Sequence, residues 1–155
     1  MSEVQVVPTD SPLVISRSIR IDASPERVFD LLADPRRHPD FDGSGSVKGS
    51  ISGPQRLSLG DKFGMDMRIV VPYRVSSQVK EFEEGRRIAW AHLGGHRWRY
   101  QLESLPDGGT EVTETFDATT ARSARALKFM DAYRRNARAI EETLPRLKAL
   151  VEGDA

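Results

Sequence analysis

The first third of the chain changes its spacing of apolar residues once. Residues 13–22 alternate between apolar and polar side chains, which predicts a half-buried strand. In residues 23–34 the apolar side chains lie three and four apart after a Ser-Pro pair, which predicts a helix of about three turns. Pro35 and Pro39 then interrupt the helix, and a Gly-Ser run leads towards a second strand near residues 47–52.

The middle of the chain, residues 61–117, has the pattern of consecutive strands. Apolar and polar residues alternate along each segment, and turn residues such as Gly94-Gly95 and the run from Pro106 to Gly109 separate the segments. Because these strands follow one another directly, we expect an antiparallel sheet with one apolar face.

The last part of the chain, residues 121–152, carries apolar residues at helical spacing throughout. Pro145 lies inside this pattern, and the unbroken apolar spacing favours one helix over two helices that meet there. A sheet with one apolar face needs a cover, and this helix is the only predicted element of sufficient size. The pattern therefore predicts an α+β fold.

Length and composition narrow the range of functions. The 155 residues suffice for one domain, and 23 basic side chains balance 23 acidic ones, so no charge excess favours nucleic acid or an anionic membrane. The chain has no cysteine, which excludes a disulfide framework, a thiolate metal site and a cysteine nucleophile. The neutral overall charge favours a neutral or small partner, and we expect no cofactor and no metal.

The N-terminal segment lacks the basic start and apolar run of a signal peptide, and no later stretch approaches the roughly 20 apolar residues of a membrane span. We therefore expect a cytoplasmic protein without membrane insertion. Pro8 and Pro12 punctuate the leader. Residues 1–11 are accordingly predicted to be a flexible tail and residues 12–155 the folded domain.

Four parts of the chain carry a family resemblance: the segments IRIDASPERVFDLLADPRRHPDFDGS, VKEFEEGRRIAW and YQLESLPDGGTEVTETF, and the long final helix. Together they resemble the START-like (SRPBCC) superfamily, and within it the polyketide cyclase/dehydrase-like group, over about residues 13–151. The resemblance implies a helix-grip fold, in which a curved antiparallel sheet of about six to seven strands surrounds the C-terminal helix beside two short N-terminal helices. It also implies an interior cavity that holds a hydrophobic or amphipathic small molecule. We expect a monomer or a homodimer.

Two ionisable residues share the apolar face of the predicted strands. His92 follows Ile88 and Trp90 in the alternation, and Glu114 lies between Val112 and Phe116. If that face is internal, burial raises the pKa of Glu114, and the two residues are candidates for a general acid and base. The alternative is structural: they pair with each other or with Tyr100, or a bulge turns one of them outward.

Aromatic and methionine side chains supply the predicted ligand contacts, because a cavity lined by them and by a few polar groups suits planar or multi-ring molecules. An enclosed cavity is expected between the sheet and the long helix. The candidate ligand-binding residues are Phe41, Met65, Met67, Tyr73, Trp90, His92, Trp98, Tyr100, Glu114, Phe116, Met130 and Tyr133.

The loop from Asp34 to Gly45 allows two interpretations. His38, Asp40 and Asp42 form a ligand set that zinc, iron or manganese accepts. The resemblance instead implies a lip of the cavity, with Phe41 as an apolar contact and the aspartates as caps and turns. We favour the lip, because one short loop lacks the support that a metal site needs.

Three functions follow from these features. The leading hypothesis is the binding of a small hydrophobic or aromatic ligand, and the enzyme alternative is a polyketide cyclase or dehydratase with Glu114 and His92 as acid and base. A third is an interaction module, because the helix is rich in arginine between residues 122 and 138. His96, beside the Gly-Gly turn, is expected to be a solvated loop residue, and Arg97 and Arg99 should face solvent.

Overall fold

The computed structural model describes residues 3–43, 47–68, 72–92, 94–129 and 131–153, with the side chains of these residues except those of 47–51, 65–68 and 72–75. Its strands form one antiparallel sheet in the order β1-β2-β8-β7-β6-β5-β4-β3, which is curved and unclosed. The strands are β1 (Gln5–Val7), β2 (Val14–Ile21), β3 (Val47–Ser52), β4 (Lys62–Arg68), β5 (Pro72–Glu83), β6 (Arg87–Ala91), β7 (Arg97–Ser104) and β8 (Thr110–Asp117).

The helices of the described residues are α1 (Pro25–Leu32), α2 (His38–Phe41), α3 (Ala124–Phe129) and α4 (Ala132–Gly153), with a 3₁₀ turn at Pro35–Arg37. Helix α1 begins where the sequence predicted it, because the Ser24 hydroxyl accepts a hydrogen bond from the backbone N–H of Arg27 at 3.4 Å. Helices α1 and α2 are the two short N-terminal helices of the expected helix-grip fold. None of the described helices is long and apolar enough to cross a membrane.

The sheet has eight described strands, one or two more than the six to seven expected. The added strand is β1, in which Gln5, Val6 and Val7 pair with Ser18, Arg17 and Ser16 of β2. Part of the segment that we expected to be a flexible tail is thus held at the sheet edge. Three residues are too few for an alternation that sequence alone distinguishes from a loop. The domain boundary at residue 12 stays a prediction.

The C-terminal helical region is interrupted, so the prediction of one helix over residues 121–152 is wrong at one point. Asp131, between α3 and α4, has a left-handed backbone conformation with φ of 57°. Aspartate tolerates this conformation better than most residues, and it ends the regular helix there. Helix α4 continues through Pro145, so one helix passes that residue, as the apolar spacing indicated.

Helix α4 packs across β2 and β8 and buries one stripe of side chains. Its stripe consists of Ile140, Leu144, Leu147 and Val151, which are spaced by three and four residues. The sheet meets it with Ile19, Ile21, Val112 and Phe116, all at most 1% exposed. This burial of apolar surface holds the sheet and the helix together.

The end of α2 is fastened to the middle of α4. Gly43 donates its backbone N–H to the Thr143 hydroxyl at 2.8 Å, and a Cβ atom at residue 43 would lie 2.6 Å from the backbone nitrogen of Thr143. Only glycine permits this approach. Arg146 also donates to the carbonyl of Asp42 at 3.1 Å, so Asp42 is held beside the helix.

Candidate functional site

The concave face of the sheet, which meets α4, presents two neighbouring rows of side chains, one of them aromatic throughout. Trp90, Trp98 and Phe116 are successive cross-strand partners on β6, β7 and β8. The neighbouring row holds Ile88, Tyr100 and Glu114 in the same relation. Because cross-strand partners lie on the same face, the alternation in the sequence indicated this arrangement correctly.

One aromatic group forms where α2 meets the sheet. The His38 ring stacks on Trp90 with centroids 4.8 Å apart, and it meets Phe41 and Phe63 at 5.5 Å each. Phe41 in turn approaches the ring of Tyr100 at 6.5 Å. Phe41 is 2% exposed, because α2 folds inward and places it in the core. Its expected place at the lip of a cavity stays a prediction.

A second aromatic group surrounds Phe116. Its ring lies 5.2 Å from Trp98, 5.2 Å from His96 and 5.7 Å from Tyr133 of α4. The hydroxyl of Tyr133 is buried and has no hydrogen-bond partner among the residues that the structure describes. Trp90 and Trp98 of the concave face and Tyr133 of α4 are only partly buried, so α4 does not cover the concave face completely.

Glu114 lies on β8 between these two groups and is 4% exposed. Its Oε1 has no hydrogen-bond partner in the described part of the chain. Burial raises the pKa of Glu114 to about 8; a hydrogen bond from Tyr100 lowers this pKa, and the negative charge of Asp42 raises it further. Burial likewise raises the pKa of the Tyr100 hydroxyl, followed by the charge of Glu114. The carboxyl is therefore largely protonated at neutral pH.

Arg17 is a residue of this face that the sequence analysis did not single out. It is the cross-strand partner of Glu114, yet its guanidinium binds Glu141 of α4 at 3.1 Å and the carbonyl of Ser16 at 2.9 Å. The signal was present in the sequence, because residue 17 has the same parity as the three isoleucines that the alternation assigned to the inner face.

His92 and His96 lie in the connection between β6 and β7, with their rings 4.6 Å apart. The expectation that His96 is solvated is wrong, since it is 8% exposed. The connection folds inward because Arg122 donates its backbone N–H to the carbonyl of Gly94 at 2.8 Å and the Thr120 hydroxyl donates to that of Gly95 at 2.6 Å.

Both imidazoles are held neutral by their surroundings. Burial, with the charge of His92 as a smaller cause, lowers the pKa of His96 to about 4, and burial lowers the pKa of His92. The Nδ1 atom of His96 is buried and has no partner among the described residues. Glu114 and Tyr133 have atoms in the same condition, as does Arg87, whose Nε lies on the other face of the sheet, 3.6 Å from Glu81.

The loop that suggested a metal site is built differently. The Nε2 atom of His38 forms a hydrogen bond with the carbonyl of Leu32 at 2.9 Å, and burial lowers the pKa of this imidazole. Asp40 is exposed and pairs with Arg37 at 2.8 Å. No group of three metal-ligating side chains occurs among the described residues. His38 is thus a core residue, which sequence reasoning missed because its partners are distant in the chain.

Four of the predicted ligand contacts fall where the structure gives no side chain. Met130 lies outside the described residues, and the side chains of Met65, Met67 and Tyr73 are likewise outside them, although their backbones belong to β4 and β5. The cavity that these residues were expected to line therefore stays a prediction.

The outer face of the sheet carries a separate ion-pair network centred on Glu81. Arg97 and Arg99 each reach its carboxylate at 2.8 Å, and Arg99 also binds Asp117 at 3.0 Å. These hydrogen bonds, that of Arg99 first, hold the pKa of Glu81 below its ordinary value. The two arginines alternate with Trp98 and Tyr100, as predicted, but both bind Glu81 and are only partly exposed.

An open groove of about 330 Å³ lies elsewhere, between α1 and the end of α4. Four of its six lining side chains are charged, which does not suit an apolar ligand. The lining residues are Arg27, Asp30, Leu31, Asp34, Arg37 and Val151.

Comparison with known proteins places this architecture in a family. The family model described as polyketide cyclase/dehydrase and lipid transport matches residues 12–152. The uncharacterized protein Rv0088 of Mycobacterium tuberculosis is 41% identical over 138 residues, which cover 86% of this chain and 62% of that protein. The chain thus spans less than two thirds of the length of the curated relatives it matches.

Solved structures show the same fold at low sequence identity. A Rhodobacter sphaeroides protein has a TM-score of 0.73 at 18% identity, covering 97% of this chain and 99% of its own. An Arthrobacter aurescens protein has a TM-score of 0.73 at 17% identity, covering 98% and 93%. The match of the family model over residues 12–152, together with a curved sheet around a C-terminal helix, shows that the chain belongs to the polyketide cyclase/dehydrase and lipid transport family of START-like domains.

Proposed function

We propose that the chain binds a small hydrophobic or aromatic ligand between the concave face of the sheet and α4. The observation that carries this proposal is Glu114, a carboxyl that is 4% exposed and whose Oε1 has no partner among the described residues. Buried polar atoms are normally hydrogen-bonded, and each one left unpaired costs about 1 to 3 kcal/mol. A bound molecule that hydrogen-bonds to Glu114 removes this cost.

The surroundings of Glu114 suit a planar molecule. Aromatic rings lie on both sides of it, and Trp90 and Trp98 of the sheet and Tyr133 of α4 keep accessible surface. Affinity would come mainly from apolar ligand surface removed from water, at about 25 cal/mol per Å². The polar atoms of Glu114 and Tyr133 would set the orientation of the ligand. The family description, which includes lipid transport, agrees with an apolar cargo.

The two tryptophans provide a direct test, because the chain has only two and both lie on the concave face. The uncharged probe N-phenyl-1-naphthylamine should shift both indole N–H signals in a saturable NMR titration. The variants W90F and W98F assign the two signals. The amide of the exposed Glu103 serves as an internal control that should not move. Binding that leaves both indole signals unchanged would contradict the proposed site.

A second candidate is an acid–base enzyme of the cyclase or dehydratase type, with Glu114 and His92 as acid and base. Its support is the pKa of Glu114, which at about 8 is suited to proton transfer near neutral pH. The ionisable residues that change the pKa of Glu114 are Tyr100 and Asp42, and the ring beside His92 is that of His96. The variant E114Q separates the two candidates: retained binding with lost turnover supports catalysis, and unchanged turnover of an accepted substrate excludes Glu114 from the mechanism.

A further inference from the structure

The interior around Glu114 has an uneven charge distribution. Among the side chains that the structure describes, no lysine or arginine is buried. The acidic residues there are Glu114 itself and the half-buried Asp42, whose negative charge raises the pKa of both Glu114 and Tyr100. The local potential is therefore negative wherever these carboxyls ionise.

The arginines that face or flank Glu114 on the two neighbouring strands are already bound to other carboxylates. Arg17, opposite Glu114 on β2, binds Glu141 of α4 at 3.1 Å. Arg97 and Arg99 of the neighbouring strand point to the other face, where Glu81 binds both at 2.8 Å. To turn any of these three guanidinium groups inward, an existing ion pair must break. The exposed Arg146 of α4 donates to the backbone carbonyl of Asp42 at 3.1 Å.

The imidazoles do not supply positive charge either. Burial lowers the pKa of His38, His92 and His96, so all three are neutral at neutral pH. They offer hydrogen bonds without a counter-charge, and the Nδ1 of His96 is unpaired among the described residues. The Tyr133 hydroxyl on α4 is a further neutral group of this kind.

An anionic ligand would enter this interior without a counter-ion, and a desolvated charge without a partner is strongly disfavoured. A hydroxyl, carbonyl or amide group meets neutral donors and acceptors instead. We infer that the site selects uncharged ligands over carboxylates and phosphates, and that Glu114 is the residue that sets this selectivity. This inference rests on the proposed function, because it names the ligand class of the same site.

The test compares two probes of the same ring system, 2-naphthylmethanol and 2-naphthoate, by calorimetric titration. Their charges stay constant from about pH 6.5 to about pH 9.5, whereas Glu114, with a pKa of about 8, ionises within this range. At the lower pH we expect the wild-type protein to bind the alcohol at least about tenfold more tightly than the naphthoate. The ratio of the affinity for the alcohol to that for the naphthoate should grow by a further factor of about ten at the higher pH, because ionised Glu114 then repels the carboxylate.

Two variants identify the residue responsible. In E114Q the ratio of the two affinities should be independent of pH. In E111Q, which alters an exposed carboxyl on the same strand, it should follow the wild type. The pH titration of the wild-type protein alone also tests the inference if E114Q does not fold.

The possible failures are distinguishable. If the naphthoate binds as tightly as the alcohol at both pH values, the selectivity inference is wrong and the proposed ligand site stands. A ratio in E114Q that changes with pH as in the wild type overturns the role of Glu114. If neither probe binds to the folded wild-type protein, the proposed function itself is overturned, and the inference falls with it.

Discussion

Arg17 and Glu114 are cross-strand partners on the concave face of the sheet, yet Arg17 forms its ion pair with Glu141 of α4. The distance from the Arg17 Nε to the Glu141 Oε2 is 3.1 Å, whereas the Oε1 of Glu114 has no partner among the described residues. An arginine directly opposite a buried carboxyl would ordinarily lower its pKa. Here Arg17 pairs with Glu141 instead, so Glu114 remains a buried acid that keeps its proton at neutral pH.

The pKa of Glu114 makes stability depend on pH. Because this pKa is about 8 in the folded protein against 4.5 for an ordinary glutamate, the folded state binds the additional proton between these values. The stabilisation of the folded state by this proton on Glu114 is fully present below about pH 4.5 and is lost as the pH rises through about 8. We expect E114Q to gain stability relative to the wild type by up to about 1.4 kcal/mol per pH unit in this window. Urea unfolding from about pH 5 to about pH 9 measures it, and parallel curves for the two proteins would contradict the buried-acid description.

His96 should give the opposite dependence at lower pH. Its pKa is about 4 when folded and 6.5 in an ordinary histidine, so the unfolded chain binds the proton between these values. Stability from the neutral imidazole is present above about pH 6.5 and is lost as the pH falls through about 4. Subtraction of the H96Q unfolding curve isolates this contribution. An NMR titration of the ring protons, assigned with the same variant, should show a midpoint near 4, and a midpoint near 6.5 would show that His96 is solvated.

The contact of Gly43 with α4 predicts that residue 43 does not tolerate a side chain. A Cβ atom would lie 2.6 Å from the Thr143 nitrogen and 2.7 Å from the Glu142 Cβ, and much of this contact is rigid helix backbone. G43A should lose about 2 to 3 kcal/mol in the free energy of unfolding. G153A is the matched control, because a Cβ atom there meets nothing within 4 Å. Equal stabilities of the two variants would show that α2 does not press on α4.

The Glu81 network predicts a difference between two glutamates of the same strand. Glu81 is 16% exposed and binds two arginines at 2.8 Å, whereas Glu83 is 53% exposed and its partner Arg86 lies at 3.8 Å. E81Q should cost about 2 kcal/mol, because in a partly desolvated position Arg97 loses its counter-charge and Arg99 keeps only that of Asp117. E83Q should change stability by less than about 0.5 kcal/mol. Thermal or urea unfolding compares them, and a similar loss in both would contradict the importance of burial.

The strands and their inner faces could be predicted from the sequence, because alternation is a local property. The position of Glu114 followed from it, since the residue lies between Val112 and Phe116. Arg17 obeyed the same alternation, but nothing local reveals that its charge is bound to a residue of the distant helix. The ion-pair partner of a side chain depends on which helices and strands pack together, and local sequence patterns do not record that packing.

The errors have a common cause. His96 was expected to be solvated because it lies beside two glycines, but the hydrogen bonds from Thr120 and Arg122 fold that connection inward. The break at Asp131 escaped notice because apolar spacing continues on both sides of it. In each case a contact or backbone angle that the pattern of residue types does not record decided the outcome.

The left-handed residue Asp131 has a consequence for local stability. It separates α3, which buries none of its residues, from α4, which buries six. The two segments should therefore open independently, and hydrogen exchange should distinguish them. Amides of α3 are expected to exchange through local opening events, while those around Ile140 and Leu144 exchange only when the whole domain unfolds. Equal protection of both segments would show that they behave as one cooperative unit.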